Sequence, residues 1–157
     1  MKIGGVKMVD VQKLLEELYL ASRGVRKYPY CVKYGGFLLV NATPHELKFN
    51  NGITLEGNQE LAEILKATPK EELVKEELGI RFVRTTFEKN ETAELLVSAI
   101  REHNRRNPTS PILLISSIIS AQAYGFPVVS PITTPETSRK PPSERIVYIG
   151  KFNVYKL

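Results

Sequence analysis

Aspartate is almost missing from this chain of 157 residues. Sixteen of its seventeen acidic residues are glutamate, and Asp10 stands alone near the N-terminus. Magnesium and manganese are held mainly by carboxylate oxygens, so a centre built from several aspartates is excluded at the outset. Tryptophan is absent, and the one cysteine, Cys31, excludes an internal disulfide and any cysteine-cluster zinc site. Two histidines, His45 and His103, cannot form a multi-histidine metal site by themselves. No apolar run approaches the ~20 residues that a membrane helix needs, so no membrane partner is expected. The N-terminal stretch has no long apolar core of the secretory kind, which points to a cytoplasmic protein.

What is present is an ordinary globular composition, 42% hydrophobic and 25% charged. The length suits one domain spanning 1–157, read as an N-terminal extension (1–35), a core (37–132) and a C-terminal hairpin (145–157). Charge is uneven. Residues 56–78 hold seven glutamates and three lysines, so the remainder carries more positive charge than the total of +5 suggests. Basic groups gather at Arg23/Arg26/Lys27, Arg101/Arg105/Arg106 and Arg139/Lys140/Arg145, which favours an anionic partner such as RNA.

Taken in order, Asp10 is placed to cap a helix over 11–22 that Gly24 ends. Two strand-like runs, 30–34 and 37–41, flank Gly35-Gly36, a two-residue hairpin signal. Thr43, Pro44 and Glu46 then read as a capping box opening a helix that stops by Asn51-Gly52, with His45 exposed in its first turn. A short strand at 53–55 and a helix over 59–66, with Asn58 as cap, come next. Thr68-Pro69-Lys70-Glu71 repeats the capping pattern and predicts a helix to Leu78, followed by a strand over 80–87. Residues 91–106 form the longest predicted helix, with Leu95, Leu96, Ala99 and Ile100 toward the core.

The apolar runs 112–115 and 126–129 read as strands buried on both faces. Between them Ser116 or Ser117 caps a short helix whose apolar side is Ile118, Ile119, Ala121 and Ala123. A loop over 131–143 leads to a C-terminal hairpin, 146–149 and 152–155, turning at Gly150-Lys151. Strands alternating with helices predict an α/β fold: three layers around a mainly parallel sheet of four or five strands, with an added N-terminal helix and the C-terminal hairpin.

Three segments resemble a known family. FLLVNATP (37–44) is similar to the first motif of PIN-domain proteins, in the N-A-T-P subgroup related to VapC-type toxins. ETAELLVSAI (91–100) resembles that family's central helix, and ILLISSIISAQAYGFPVV (112–129) resembles its L-L-L-I-D-D segment. The resemblance covers about 37–132. It implies a magnesium- or manganese-dependent ribonuclease whose carboxylates meet at the carboxyl edge of the sheet. It also places the 37–41 strand centrally among parallel neighbours, which leaves the Gly35-Gly36 hairpin no edge to pair with; three motifs in order outweigh that one turn.

Carried over by position, the family's first acid falls at Asn41, its central glutamate at Glu94 (or Glu91 in the other register), and its paired aspartates at Ser116 and Ser117. Three of these four are neutral, too poor in charge to hold two divalent ions. The expectation is therefore a catalytically degenerate PIN-like protein, without metal or other cofactor, that binds RNA or a protein partner. One alternative is a working nuclease using magnesium or manganese on Glu94 with Glu91 or Glu88. Another is a structural or adaptor homodimer joined through the N-terminal helix or the C-terminal hairpin. Arg101 and Arg105, one helical turn apart with Arg106 beside them, are the candidate phosphate-binding group. His103 is expected to be exposed next to them.

Overall fold

Strands that are apolar at every position must be covered on both faces. The runs FLLV and ILLI impose that requirement here. The computed structural model describes the backbone of residues 2–3 and 6–157, and side chains from residue 11 onward. Its elements are β1 (Lys2–Ile3), β2 (Val6–Lys7), α1 (Met8–Ser22), β3 (Cys31–Tyr34), β4 (Phe37–Asn41), β5 (Leu47–Lys48), β6 (Thr54–Leu55) and α2 (Gln59–Ile64). Then come β7 (Thr68–Glu77), β8 (Ile80–Glu88), α3 (Glu91–Arg106), β9 (Ile112–Ile115), α4 (Ile118–Tyr124), β10 (Val128–Thr133) and β11 (Val147–Asn153).

Five strands form the main sheet in the order β11-β10-β9-β4-β3. Its three inner strands are parallel, with Val40 opposite Leu114 and Leu114 opposite Val128. Both edge strands run antiparallel to their neighbours. The fold is thus mixed α/β, with a parallel centre and antiparallel margins.

The strand period divides the core. Leu38, Val40, Ile112, Leu114 and Val128 face one side, where Leu14 and Leu18 of α1, Leu61 and Ile64 of α2, Leu96 and Ile100 of α3, and Ala121 of α4 pack on them. Leu39, Leu113, Ile115 and Val129 face the other, covered by Phe49, Leu55, Val147 and Ile149. Among the described residues, no helical one belongs to that second cluster. In place of the expected third layer, the β5–β6 segment covers this face with Phe49 and Leu55, and the edge strand β11 adds Val147 and Ile149 to the same cluster. Cys31 is a small buried residue of the helix-side core, and burial pushes its thiol up to about 12.

Several sequence expectations yield to tertiary structure. Asp10 lies inside α1, which begins at Met8, and its side chain is outside the described residues. The Gly35-Gly36 hairpin does form, both glycines taking positive φ (60° and 92°), so β4 has an antiparallel neighbour after all. No helix follows β4, because the Asn41 side chain binds the backbone there. Residues predicted as a helix at 68–78 are the strand β7, paired to β8 in a separate two-stranded arm. The β-formers of Ile80–Glu88 (Ile, Phe, Val and Thr) and the short turn at Leu78-Gly79 draw β7 into the ladder. β8 consequently takes no place in the main sheet.

At the C-terminus, β11 continues past Gly150-Lys151 instead of forming a hairpin there, and it pairs with β10 on both sides of a register shift that those residues take up. Leu95, Ile118 and Ile119 point outward, contrary to the core positions that helical spacing predicts for them. Caps fare better. Asn58 and Ser117 accept from Leu61 N (3.0 Å) and Ser120 N (3.1 Å), opening α2 and α4 as expected.

Leu114 is fully buried at the centre of the parallel strands, whereas Val83 of the arm is half exposed. Leu114→Ala should lower unfolding free energy by about 2–5 kcal/mol. Val83→Ala should cost less than ~1 kcal/mol in the same urea titration followed by circular dichroism.

Candidate functional site

The carboxyl ends of β4, β9 and β10 define the edge where open α/β sheets usually take ligands. Asn41 ends β4 and is wholly buried. Its Nδ2 donates to the carbonyls of His45 (2.9 Å), Glu56 (3.0 Å) and Leu55 (3.3 Å). Its Oδ1 accepts from Thr43 N (3.0 Å) and Thr43 Oγ1 (2.6 Å). Two N–H groups serving three carbonyls, and one oxygen taking two donors, saturate an amide. Asn41 therefore ties the 43–45 turn to the 55–56 strand end and has nothing left for a ligand. Gly57 completes the tie, since a Cβ there would stand 2.6 Å from Pro44 C and 2.8 Å from His45 N.

Ser116 and Ser117 follow β9 beside this tie. Ser117 Oγ caps α4 and donates to Ser120 Oγ (3.0 Å), which donates in turn to Leu65 O (2.6 Å). Ser116 is 3% exposed and lines a cleft of about 390 Å³ on the helix side, with Thr43, Gln59, Glu63 and Lys66 around it. The resemblance puts four positions at this edge, and the fold brings three of them there. Glu94 is exposed on α3 and is not in the cleft wall. Glu91 is exposed on the same helix, and Glu88 lies at the foot of the arm, paired with Lys70 (3.3 Å). Among the described residues no three His, Cys, Asp or Glu side chains converge as a metal would require.

A larger cleft, of about 630 Å³, opens at the same edge on the opposite face of the sheet. Thr43, His45, Glu46, Lys48, Thr133 and Arg145 are among its walls. Lys48 Nζ donates to Ser143 O (3.1 Å) and Arg145 Nε to Lys140 O (2.9 Å). These bonds fix both stems and leave each cation further N–H groups for a ligand. Among the described residues neither forms an ion pair with a carboxylate. Of these groups only Arg145 belongs to a basic cluster visible in the sequence. Lys48 and His45 join it because the chain turns at Asn41 instead of entering a helix.

The arginine group on α3 is engaged elsewhere. Arg101 donates to Phe126 O (3.0 Å) and Tyr124 O (2.6 Å), fastening α3 to the α4–β10 turn. Arg105 and Arg106 both hold Glu102, at 2.5 and 2.7 Å. The Arg105 hydrogen bonds, reinforced by Arg106, hold the Glu102 carboxyl down to about 2. Glu102, at helical spacing from both, was the signal in the sequence that these charges are neutralised. His103 is half-buried, stacked on Tyr19 (5.0 Å between ring centroids), with Nε2 3.2 Å from Ser110 O. It is a packing residue where an exposed one was expected.

Asn41→Asp would restore the acid of the resembling motif. It would also turn an anionic oxygen toward three carbonyls, so it should destabilise the fold by about 3 kcal/mol or more in urea titration. The Glu102 carboxylate should titrate near pH 2 by carbon NMR. A depressed carboxylate contributes stability above its unfolded value, near 4.3, and loses it as pH falls through the folded one. Arg105→Ala should move that midpoint upward toward the ordinary range.

Compared with protein-family models, curated proteins and solved structures, the chain matches none.

Proposed function

We propose that this chain is a catalytically silent, PIN-like protein that holds single-stranded RNA in the larger cleft. The Asn41 amide carries the first half of that reading. At the position where the resembling family keeps its first acid, both polar atoms are engaged by backbone and by Thr43. A metal ligand must present a free lone pair, and hydrolysis through two ions needs several anionic ones.

The parallel pairing of β4 and β9 supports the PIN-like reading, because it brings the first and third motifs to one edge, Asn41 opposite Ile115; against it stands the other neighbour of β4, the antiparallel β3, where the resemblance expects a parallel strand. RNA is favoured by the charge of the cleft. His45, Lys48 and Arg145 line it against the single carboxylate Glu46, in a chain of net charge +5. Its size falls in the range of about 300–1,000 Å³ usual for small-ligand sites, so it suits a nucleotide unit with its phosphate.

The test is fluorescence anisotropy with a labelled single-stranded RNA across a salt series. Affinity should fall as salt rises. Lys48→Ala/Arg145→Ala should weaken binding about tenfold while flattening the log–log slope by ~0.7 for each phosphate no longer neutralised. Arg105→Ala/Arg106→Ala should change neither. No binding at low ionic strength overturns the RNA reading. Manganese-dependent cleavage that Glu94→Gln abolishes overturns the non-catalytic one.

A further inference from the structure

An isolated two-stranded hairpin is marginal in water, and a third strand or a covering helix is normally needed to hold it. The β7–β8 arm has ten residues in one strand and nine in the other and, among the described residues, pairs with no other strand. Phe87, at its foot, packs on the core. Beyond that, Leu73, Val74, Leu78, Ile80, Phe82 and Val83 are all exposed, Leu78 completely.

One face of the arm is already satisfied. Lys70 pairs with Glu88 (3.3 Å), Arg84 with Glu72 (3.8 Å) and Lys75 with Glu77 (3.5 Å), and Lys75 Nζ also lies 5.4 Å from the Phe82 ring centre. On the other face Leu73 sits opposite Val83 with no cover.

The two edges differ in what they offer. Leu78 and Gly79 both take positive φ (51° and 82°), a two-residue turn in which the flanking pair, Glu77 and Ile80, are bonded to each other. Backbone groups alternate from there, so Arg81, Val83 and Thr85 turn their N–H and C=O outward from β8. The outward positions of β7 include Glu71, Glu76 and Pro69, which has no N–H, and the ladder shifts register between Leu73 and Lys75. Proline, charge and a bulge are the devices that blunt an edge strand. β7 has all three. β8 has neither proline nor glycine, nor the extra residue of the bulge, and Arg81 is the one charge among its outward residues 81, 83 and 85.

We propose that β8 is a homodimerisation edge, pairing antiparallel with β8 of a second copy to make a four-stranded sheet, β7-β8-β8-β7. Two-fold symmetry puts one residue opposite its own copy. Centring on Val83 uses all three outward residues: Val83 meets Val83, and Arg81 meets Thr85 on both sides of the axis. Phe82 then lies opposite Arg84 twice, where a guanidinium can sit on an aromatic face. No like charges oppose each other in this register. A shift that centres the pair on Arg84 sets two guanidinium groups against each other. A centre on Phe82 leaves Thr85 without an outward partner. In this register the strand complements itself, each arginine facing Thr85 or Phe82 of the other copy and none facing another arginine, and that selects a second copy of the chain as its occupant, independently of what the cleft binds.

The test uses the full chain in light scattering coupled to size exclusion, over a concentration series. The wild type should shift to twice the monomer mass, and Val83→Glu, which sets two carboxylates against each other on the axis, should raise the dissociation constant about tenfold or more. Val83→Cys should cross-link to a covalent dimer on mild oxidation, whereas Thr86→Cys, which faces residue 80 of the partner, should not. Cys31 is buried and does not compete. A monomer at every concentration overturns the proposal. So does a dimer that Val83→Glu leaves unchanged, or cross-linking that is equal for the two cysteine variants.

Discussion

The carboxyl edge of the sheet is held by one buried amide. Asn41 bonds to backbone on both sides of the turn that follows β4, and those bonds fix where the chain goes next. The turn returns through β5 and β6, whose Leu55 and neighbouring Phe49 cover the face of the sheet that no helix reaches. Without that cover, Leu39, Leu113, Ile115 and Val129 would stand in water, at roughly 25 cal/mol for each Å² exposed. The fold of the non-helical layer and the chemistry of the edge therefore share one cause. An amide is suited to this place because it offers donors and an acceptor together without charge. A carboxylate offers acceptors only, and three carbonyl oxygens already point at the site.

Electrostatics separate the two clefts at this edge. On the helix side, Ser116 and Ser117 stand with one acid and one base, Glu63 and Lys66, a wall without net charge. On the other side, two cations, Lys48 and Arg145, share the wall with one carboxylate, Glu46. An unpaired cation in a concave wall attracts an anion more strongly than one that already holds a carboxylate, because nothing local offsets its field. The arginines of α3 illustrate the second case, since Glu102 lies between Arg105 and Arg106.

How far the sequence revealed this depends on whether the deciding interaction was local. The caps Asn58 and Ser117 and the long helix ending before Pro108 are set by neighbouring residues and were legible; the turn at Gly35-Gly36 is equally local, but the family resemblance argued against it and it formed all the same. The parallel strands were legible too, since a fully apolar run has few other uses. Thr43-Pro44-His45-Glu46 and Thr68-Pro69-Lys70-Glu71 carry the same capping pattern, and neither starts a helix. In the first, Thr43 is claimed by Asn41; in the second, residues 68–71 are claimed by their partners Glu88 to Thr85 across the β7–β8 ladder. Both claims come from outside the window in which a cap is read. For the site, position was readable and role was not: three of four residues arrive at one edge, but what Asn41 does there follows from carbonyls up to fifteen residues away.

The near-absence of aspartate fits this distribution of charge. Glutamates 72, 77, 88 and 102 each reach a lysine or arginine on the same strand, the paired strand or the next helical turn, at 3.8 Å or less, on exposed faces of the arm and of α3. Such pairs contribute little to stability, about 0–1 kcal/mol each. Their effect on the field is larger, because they cancel cations far from the carboxyl edge and leave those of the cleft uncancelled. A protein built around a metal concentrates its acids in one pocket, where they repel one another until the ion arrives. This chain disperses its acids over solvated surfaces and furnishes its interior edge with amide and hydroxyl groups. The result is an edge whose amide and hydroxyl groups bond to backbone and to one another, beside a cleft in which Lys48 and Arg145 form no ion pair among the described residues.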